Sequence, residues 1–232
     1  MAKTRQPKGW RFVEKAETQR GQFITLEGTE GAGKSTHLAW IEAYLKAKRV
    51  PFIMTREPGG TPISEAIRAL LLDSNHGQMT DLTELLLMFA ARAQHLETKI
   101  MPALNAGTWV VSDRFTDATY AYQGAARGGS MDTIAQLEQM VQATVQPDLT
   151  LLLDVPVAVG QARVAQRAEQ PQGHLDRFEQ EKQPFFEAVR ACYLERAQQA
   201  PGRYRVIDAS QSLSQVQAQT QQILDSWIKA HR

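Results

Sequence analysis

The sequence is poor in the residues that would hold a cross-linked or metal-centred scaffold. A single cysteine, Cys192, stands in 232 residues, so no internal disulfide can form and no cysteine pair is available for a zinc site. No apolar run approaches the roughly 18 residues of a membrane span. Nor is there an excess of either charge: 26 Lys and Arg stand against 25 Asp and Glu, a net of +1. That balance argues against binding a polyanion through bulk charge. There is no internal repeat and no linker long enough to separate two domains. What is present is ordinary globular composition, 43% hydrophobic and 22% charged, in a chain long enough for one well-buried core.

The charge is unevenly spread. Six basic side chains among the first twenty residues (Lys3, Arg5, Lys8, Arg11, Lys15 and Arg20) face only Glu14 and Glu17, a net of +4, while the remainder carries −3. This start lacks the apolar stretch of a signal peptide. Residues 1–20 are therefore expected to be a flexible, solvated extension, or alternatively a docking arm, ahead of one domain spanning 21–232. A cytoplasmic protein is expected, with neither nucleic acid nor a membrane as partner.

From Gln22 onward short apolar runs alternate with helical patterns. Strands are predicted at Phe23–Leu26, Pro51–Thr55, Trp109–Val111, Leu149–Asp154 and Tyr204–Ile207. Leu38, Ile41 and Leu45 have helical spacing. Thr61-Pro62 reads as a cap and first helical residue, opening a helix to about Leu72. Further helices are predicted over Asp81–Asn105, with Pro102 ending or kinking the last turn, and over Asp132–Thr144, Val157–Ala168 and Pro184–Gln198. A final helix starts from the capping box of Ser212 and Gln215. Glu169 to His174 reads as a polar loop. Strands separated by helices predict an α/β fold, a doubly wound, five-stranded, mainly parallel sheet flanked by helices.

Gly28-Thr29-Glu30-Gly31-Ala32-Gly33-Lys34-Ser35 matches the phosphate-loop pattern at every fixed position. Glycines let backbone N–H groups wrap phosphate oxygens, and the following helix turns its positive end toward the anion. Lys34 supplies a point charge for the β and γ phosphates, and the Ser35 hydroxyl suits magnesium. A nucleoside triphosphate with Mg²⁺ is the expected ligand. No Asn-Lys-x-Asp segment reads guanine, and the chain leaves little room for a motor's coupling machinery.

A second anion site is indicated by Arg56 and Arg114, each at the carboxyl end of a predicted strand and so facing the same crevice as the loop. Arg68 on the next helix either joins them or is a surface cation. An arginine's planar fork suits phosphate. Asp113, after an apolar strand, is placed like a metal-coordinating acid or a loop cap.

Taken together, Gly28 to Thr36, Thr55 to Thr61, Phe89-Ala90-Ala91-Arg92-Ala93-Gln94-His95, Asp113-Arg114-Phe115 with Ala121-Tyr122-Gln123, and Leu175-Asp176-Arg177-Phe178 resemble the bacterial thymidylate kinases in order and spacing, over about Gln22 to Arg232. The resemblance implies a P-loop kinase fold, transfer of the γ-phosphate of ATP to dTMP, and a homodimer. It implies that Arg56, Arg68 and Arg114 hold the acceptor phosphate and that Glu30 accepts from the 3′-hydroxyl. Arg92, Thr119 and Gln123 would read the thymine edge, and Tyr122 would crowd the sugar 2′ position. The aromatic that stacks on the base usually lies four residues before the arginine. Here that position is Met88, so Phe89 is expected to take the role. A serine is common where this chain has Ala118. With no arginine inside the loop, the catalytic cations are expected from a lid around 163–177, with Arg163 and Arg167 favoured and Arg177 as a further candidate. Arg163 and Arg167 lie one helical turn apart on one face.

Overall fold

A computed structural model describes residues 19–73, 79–169 and 176–231. Most of the basic extension, residues 1–18, and the core of the polar insert, 170–175, lie outside the described residues.

Five strands form one parallel sheet: β1 (Phe23–Glu27), β2 (Phe52–Arg56), β3 (Trp109–Asp113), β4 (Leu149–Asp154) and β5 (Tyr204–Asp208), in the order β2-β3-β1-β4-β5. The pairing runs Ile24 to Val111, Ile24 to Leu149, and Arg56 to Asp113. Strands β1, β3 and β4 are almost wholly buried, as a parallel sheet covered on both faces requires. This explains their near-continuous apolar text.

The helices are α1 (Lys34–Ala47), α2 (Pro62–Leu72), α3 (Asp81–His95), α4 (Met101–Asn105), α5 (Thr116–Thr119), α6 (Met131–Gln142), α7 (Val157–Ala168), α8 (Gln183–Gln199) and α9 (Leu213–Ala230). On one face Ile24, Leu26, Val111 and Leu151 pack on Ile41 and Leu45 of α1 and Leu224 of α9. On the other, Leu152 packs with Phe185, Val189 and Tyr193 of α8. The Thr61 hydroxyl caps α2, with Pro62 in its first turn, and the Ser212–Gln215 capping box opens α9, both as predicted.

Two stretches differ from expectation. The helix predicted over Asp81–Asn105 is interrupted by a π turn at Leu96–Ile100, and Pro102 then sits in the first turn of α4 rather than ending the helix. Proline offers no N–H, and the wider turn before it absorbs the change of pairing. A helical stretch over α5 and a second π turn at Tyr120–Ala126 was not anticipated. Its residues bury polar side chains, Thr116, Asp117, Thr119 and Gln123, so hydrophobic periodicity is weak there.

The carboxyl ends of β1, β2 and β3 meet on one edge, where a doubly wound sheet opens its crevice.

Candidate active site

Chain leaving β1 turns through the glycine loop and enters α1 at Lys34. Gly33, at the helix cap, has φ +89°, and a Cβ on Gly31 (φ +72°) would lie 2.1 Å from the Gly160 carbonyl oxygen. Only glycine fits both the conformation and the contact. Lys34 Nζ donates to the carbonyls of Gly28 and Thr29 at 3.0 Å each, spanning the loop. Burial, with the nearby Arg114 guanidinium, lowers its pKa to about 8 against the pull of Glu30 and Asp113.

The loop forms one wall of a cavity of about 420 Å³, contributed by Glu30, Gly31, Gly33, Lys34, Ser35 and Thr36. Ala32 is buried, a Cβ on Gly28 would meet Leu153, and Thr29 lines a smaller recess of about 170 Å³. These three shape the loop rather than face the main cavity.

Opposite the loop stand Arg68 and Arg114. Arg114 adopts φ +66°, a conformation uncommon for a residue with a side chain, which follows directly on β3. Its Nη2 donates to Glu30 Oε1 at 2.6 Å, and its guanidinium lies 4.5 Å from the Tyr122 ring centre. The Tyr122 hydroxyl donates to Glu30 Oε2 at 2.5 Å. Burial disfavours the Glu30 charge, but Arg114 and Lys34 together hold its carboxyl below the usual carboxylate range. Arg68 donates to the Pro58 carbonyl at 2.9 Å.

Arg56 is placed differently from Arg68 and Arg114. It pairs with Glu65 at 2.7 Å and lines an adjoining, more open recess of about 730 Å³. Ser35 and Asp113 line both spaces. Asp113 Oδ1 is buried and has no hydrogen-bond partner among the described residues. A hydroxyl and a free carboxylate oxygen are the hard donors a magnesium ion takes, along with substrate phosphates and water.

At the far end, Arg92 is buried. Its Nε donates to Glu57 Oε2 at 2.7 Å and its Nη2 to Thr119 Oγ1 at 3.0 Å. Nη1 is left without a partner among the described residues. Glu57 also faces His95 Nδ1 at 3.0 Å, and the Thr55 hydroxyl meets His95 Nε2 at 2.6 Å. Gln123, Thr119 and Ala118 complete this wall.

The expectation for Phe89 is not met. Its side chain is buried with Leu85 and Ile134, its ring 4.9 Å from the Arg92 guanidinium, and it does not line the cavity; Met88 does. A helix turns about 100° per residue, and the four-residue spacing to Arg92 keeps Met88 on the cavity side.

Of the three lid arginines, Arg163 and Arg167 line the cavity. Arg163 donates to the carbonyls of Gly31 (3.2 Å) and Ala209 (3.1 Å); Arg167 pairs with Glu179. Arg177 is directed elsewhere, to Glu84 and to the Leu71 carbonyl.

Sequence reasoning gave no role to the buried acids around this site. Glu57 sits within a quoted motif, and its place at the end of β2 was the available signal. Glu84 offered none beyond an acid in the first turn of α3. Glu27, fully buried, accepts from Phe115 N and the Tyr193 hydroxyl, both at 2.7 Å. Burial, then the charge of Asp117, pushes its pKa up.

The arrangement is a phosphate cradle facing two further guanidinium groups across one cavity, with a polar, directional wall beyond them. Such a space suits transfer of a phosphoryl group between two bound anions, by positioning and charge neutralisation.

Comparison with known proteins agrees. The family model for thymidylate kinase matches residues 26–220. The thymidylate kinase of Ectopseudomonas mendocina is 58% identical over 212 residues, covering 91% of this chain and 99% of that protein. That of Teredinibacter turnerae is 52% identical over 208 residues, covering 90% and 99%. The crystal structure of thymidylate kinase from Ehrlichia chaffeensis superposes with a TM-score of 0.69 at 31% identity, covering 89% of this chain and 99% of that one. With its fold, its phosphate cradle and these relatives in agreement, the chain belongs to the thymidylate kinase family.

Proposed function

We infer that this chain, as a thymidylate kinase, transfers the γ-phosphate of ATP to dTMP, giving dTDP and ADP. The observation that carries this reading is the cavity with the phosphate loop at one end and, at the other, Arg92, whose Nη1 has no partner among the described residues, with Thr119 and Gln123. A buried guanidinium N–H without a partner costs stability, and a nucleobase carbonyl would satisfy it.

In this reading the loop and Lys34 hold the triphosphate of ATP. Arg68, Arg114 and Arg56 draw the dTMP phosphate into line, Arg56 from the neighbouring recess. Glu30, oriented by Arg114 and Tyr122, accepts from the 3′-hydroxyl, and the Tyr122 ring crowds the 2′ position. Met88, not Phe89, covers the base, and Ala118 lines the cavity without a hydroxyl. Ser35 and Asp113 would hold Mg²⁺, which would supply charge neutralisation at the phosphates. Arg163 and Arg167 approach the transferred group from α7, where a well-placed arginine is worth about 10³- to 10⁵-fold in rate.

A homodimer accompanies this reading. Leu82 and Leu86 on α3 are 59% and 48% exposed, and Ile63 on the neighbouring α2 is 58% exposed, whereas Leu85 and Met88 are buried. A stripe of exposed leucine and isoleucine on two packed helices marks an interaction surface. No described helix is long and apolar enough to cross a membrane. We assign the protein to the cytoplasm, without nucleic acid as a partner.

The test is ADP release, coupled to a detection enzyme, with dTMP, dUMP, dCMP, dGMP and AMP. The expected order puts dTMP first and dUMP second, because a methyl group is worth only about 1–3 kcal/mol in an apolar pocket. Faster turnover of AMP or dCMP than of dTMP would overturn the substrate assignment.

A further inference from the structure

Glu84, in the first turn of α3, is 1% exposed. Its Oε1 accepts from Gln123 Nε2 at 2.7 Å, and Arg177 Nη2 donates to its Oε2. Arg127 lies 3.7 Å from Oε1 and is itself tied to Glu181 at 2.6 Å. The carboxylate is thus buried among donors, at a helix N-terminus that favours negative charge.

An ionised carboxylate only accepts hydrogen bonds, whereas a primary amide offers a donor at one end and an acceptor at the other. Facing Glu84, Gln123 has one satisfactory orientation: its NH₂ toward the carboxylate. The end left for the cavity it lines is the carbonyl oxygen. Beside it, Arg92 can present only a donor. The wall therefore reads as donor next to acceptor, fixed in that order. A pyrimidine with a carbonyl at C4 and N–H at N3 complements it. Cytosine, with an amino group at C4 and a lone pair at N3, opposes it at both positions.

Arg92 has no alternative state, but a glutamine amide does. Turned by half a rotation, Gln123 would offer N–H to the lone pair of cytosine N3 and remove one of the two mismatches. We propose that Glu84 is the positioning residue that forbids this rotation, and that it sets the exclusion of cytosine without touching the substrate. The proposal rests on the thymidylate reading above and names what locks its specificity.

The experiment compares kcat/KM for dTMP and dCMP in the wild-type enzyme, Glu84→Gln, Arg177→Met and the exchange variant Glu84→Gln with Gln123→Glu. A glutamine at 84 can donate or accept, so the amide at 123 becomes free to turn. The dTMP-to-dCMP ratio is expected to fall at least tenfold in Glu84→Gln, mainly through dCMP. Arg177→Met removes the same ion pair but leaves the carboxylate facing Gln123, so its ratio should stay near wild type. In the exchange variant position 123 is again an acceptor only, and the ratio should recover.

An unchanged ratio in Glu84→Gln, an equal fall in Arg177→Met, or no recovery in the exchange variant would each overturn the proposal. A wild-type enzyme that does not prefer dTMP would instead sink the substrate reading, so the two failures are distinct. Should Glu84→Gln fail to fold, ¹⁵N-glutamine-labelled wild-type protein provides the test. The Gln123 side-chain NH₂ should stay protected from solvent exchange by its bond to Glu84 when dCMP is added, as it does with dTMP. Loss of that protection with dCMP in the wild-type protein, showing that NH₂ leaves Glu84 for the base, would refute the lock.

Discussion

The Tyr122 hydroxyl donates to Glu30 Oε2 at 2.5 Å while its ring lies 4.5 Å from the guanidinium of Arg114, which itself holds Glu30 Oε1. One tyrosine thus orients both an acid and a cation that line the cavity. Its edge-on contacts with Phe178 and Phe185, ring centres 6.0 Å away in each case, fix the ring from behind.

Removing the hydroxyl and removing the ring should therefore have different effects. Tyr122→Phe loses a hydrogen bond to a charged acceptor, worth about 1.5–3 kcal/mol, but keeps the steric wall. Tyr122→Leu opens the space beside the sugar. The ratio of kcat/KM for the ribonucleotide analogue of dTMP to that for dTMP should rise about tenfold in Tyr122→Leu and stay near wild type in Tyr122→Phe. Equal ratios in the two variants would remove the ring's role in excluding ribose.

Met88 and Phe89 offer a second contrast. Met88→Ala deletes a side chain that lines the cavity and should raise KM for dTMP about two- to tenfold, in line with the roughly 0.3–1.5 kcal/mol of a sulfur–aromatic contact. Phe89→Leu alters a residue packed against Leu85 and Ile134. Its main effect should be a loss of about 1 kcal/mol in denaturant unfolding, with little change in KM. A reversed pattern would restore Phe89 to the base.

The sheet was legible because its strands are short apolar runs bounded by turn residues, and the loop because glycine spacing leaves few alternatives. Arg114 was legible from its place after a strand. Phe89 was less legible, because its aromatic ring points to a base while helical phase decides: four residues, not three, separate the cavity-lining Met88 and Arg92. Glu57 was signalled only by its place after β2, and Glu84 was silent, because a buried acid reads in the sequence like any surface acid; only the arginine and glutamine that fold around Glu84 reveal its work. Arg177 stayed a further candidate beside Arg163 and Arg167 for the same reason, since its partner, Glu84, is 93 residues away.

Glu27 carries a prediction about stability against pH. Its pKa is raised in the folded protein, by burial first and by Asp117 next. The folded state therefore holds a proton that the unfolded chain releases above its ordinary value near 4.5. Stability from this group is complete below that value and is lost as pH rises through the higher folded value. Glu27→Gln, which retains an acceptor for Phe115 N and a polar partner for Tyr193, should flatten the decline of unfolding free energy between about pH 5 and pH 7. A wild-type-like slope in the variant would show that another group titrates there.

Lys34 behaves in the opposite sense. Burial and Arg114 bring it down to about 8 from 10.5, so between those values the unfolded chain binds the extra proton and folding gains stability as pH rises. Activity should move the other way, because only the ammonium form carries charge to the transferring phosphoryl group. In the free enzyme, kcat/KM for ATP should fall above about pH 8, approaching tenfold per pH unit. Replacing the side chain with that of alanine should lower kcat about 10²- to 10³-fold, the usual cost of removing one preorganised electrostatic contact, and should abolish the alkaline limb of the profile. If Lys34→Ala kept that limb, the titrating group would have to be sought elsewhere in the cavity; if it kept wild-type kcat, the phosphate loop would not be the seat of the chemistry.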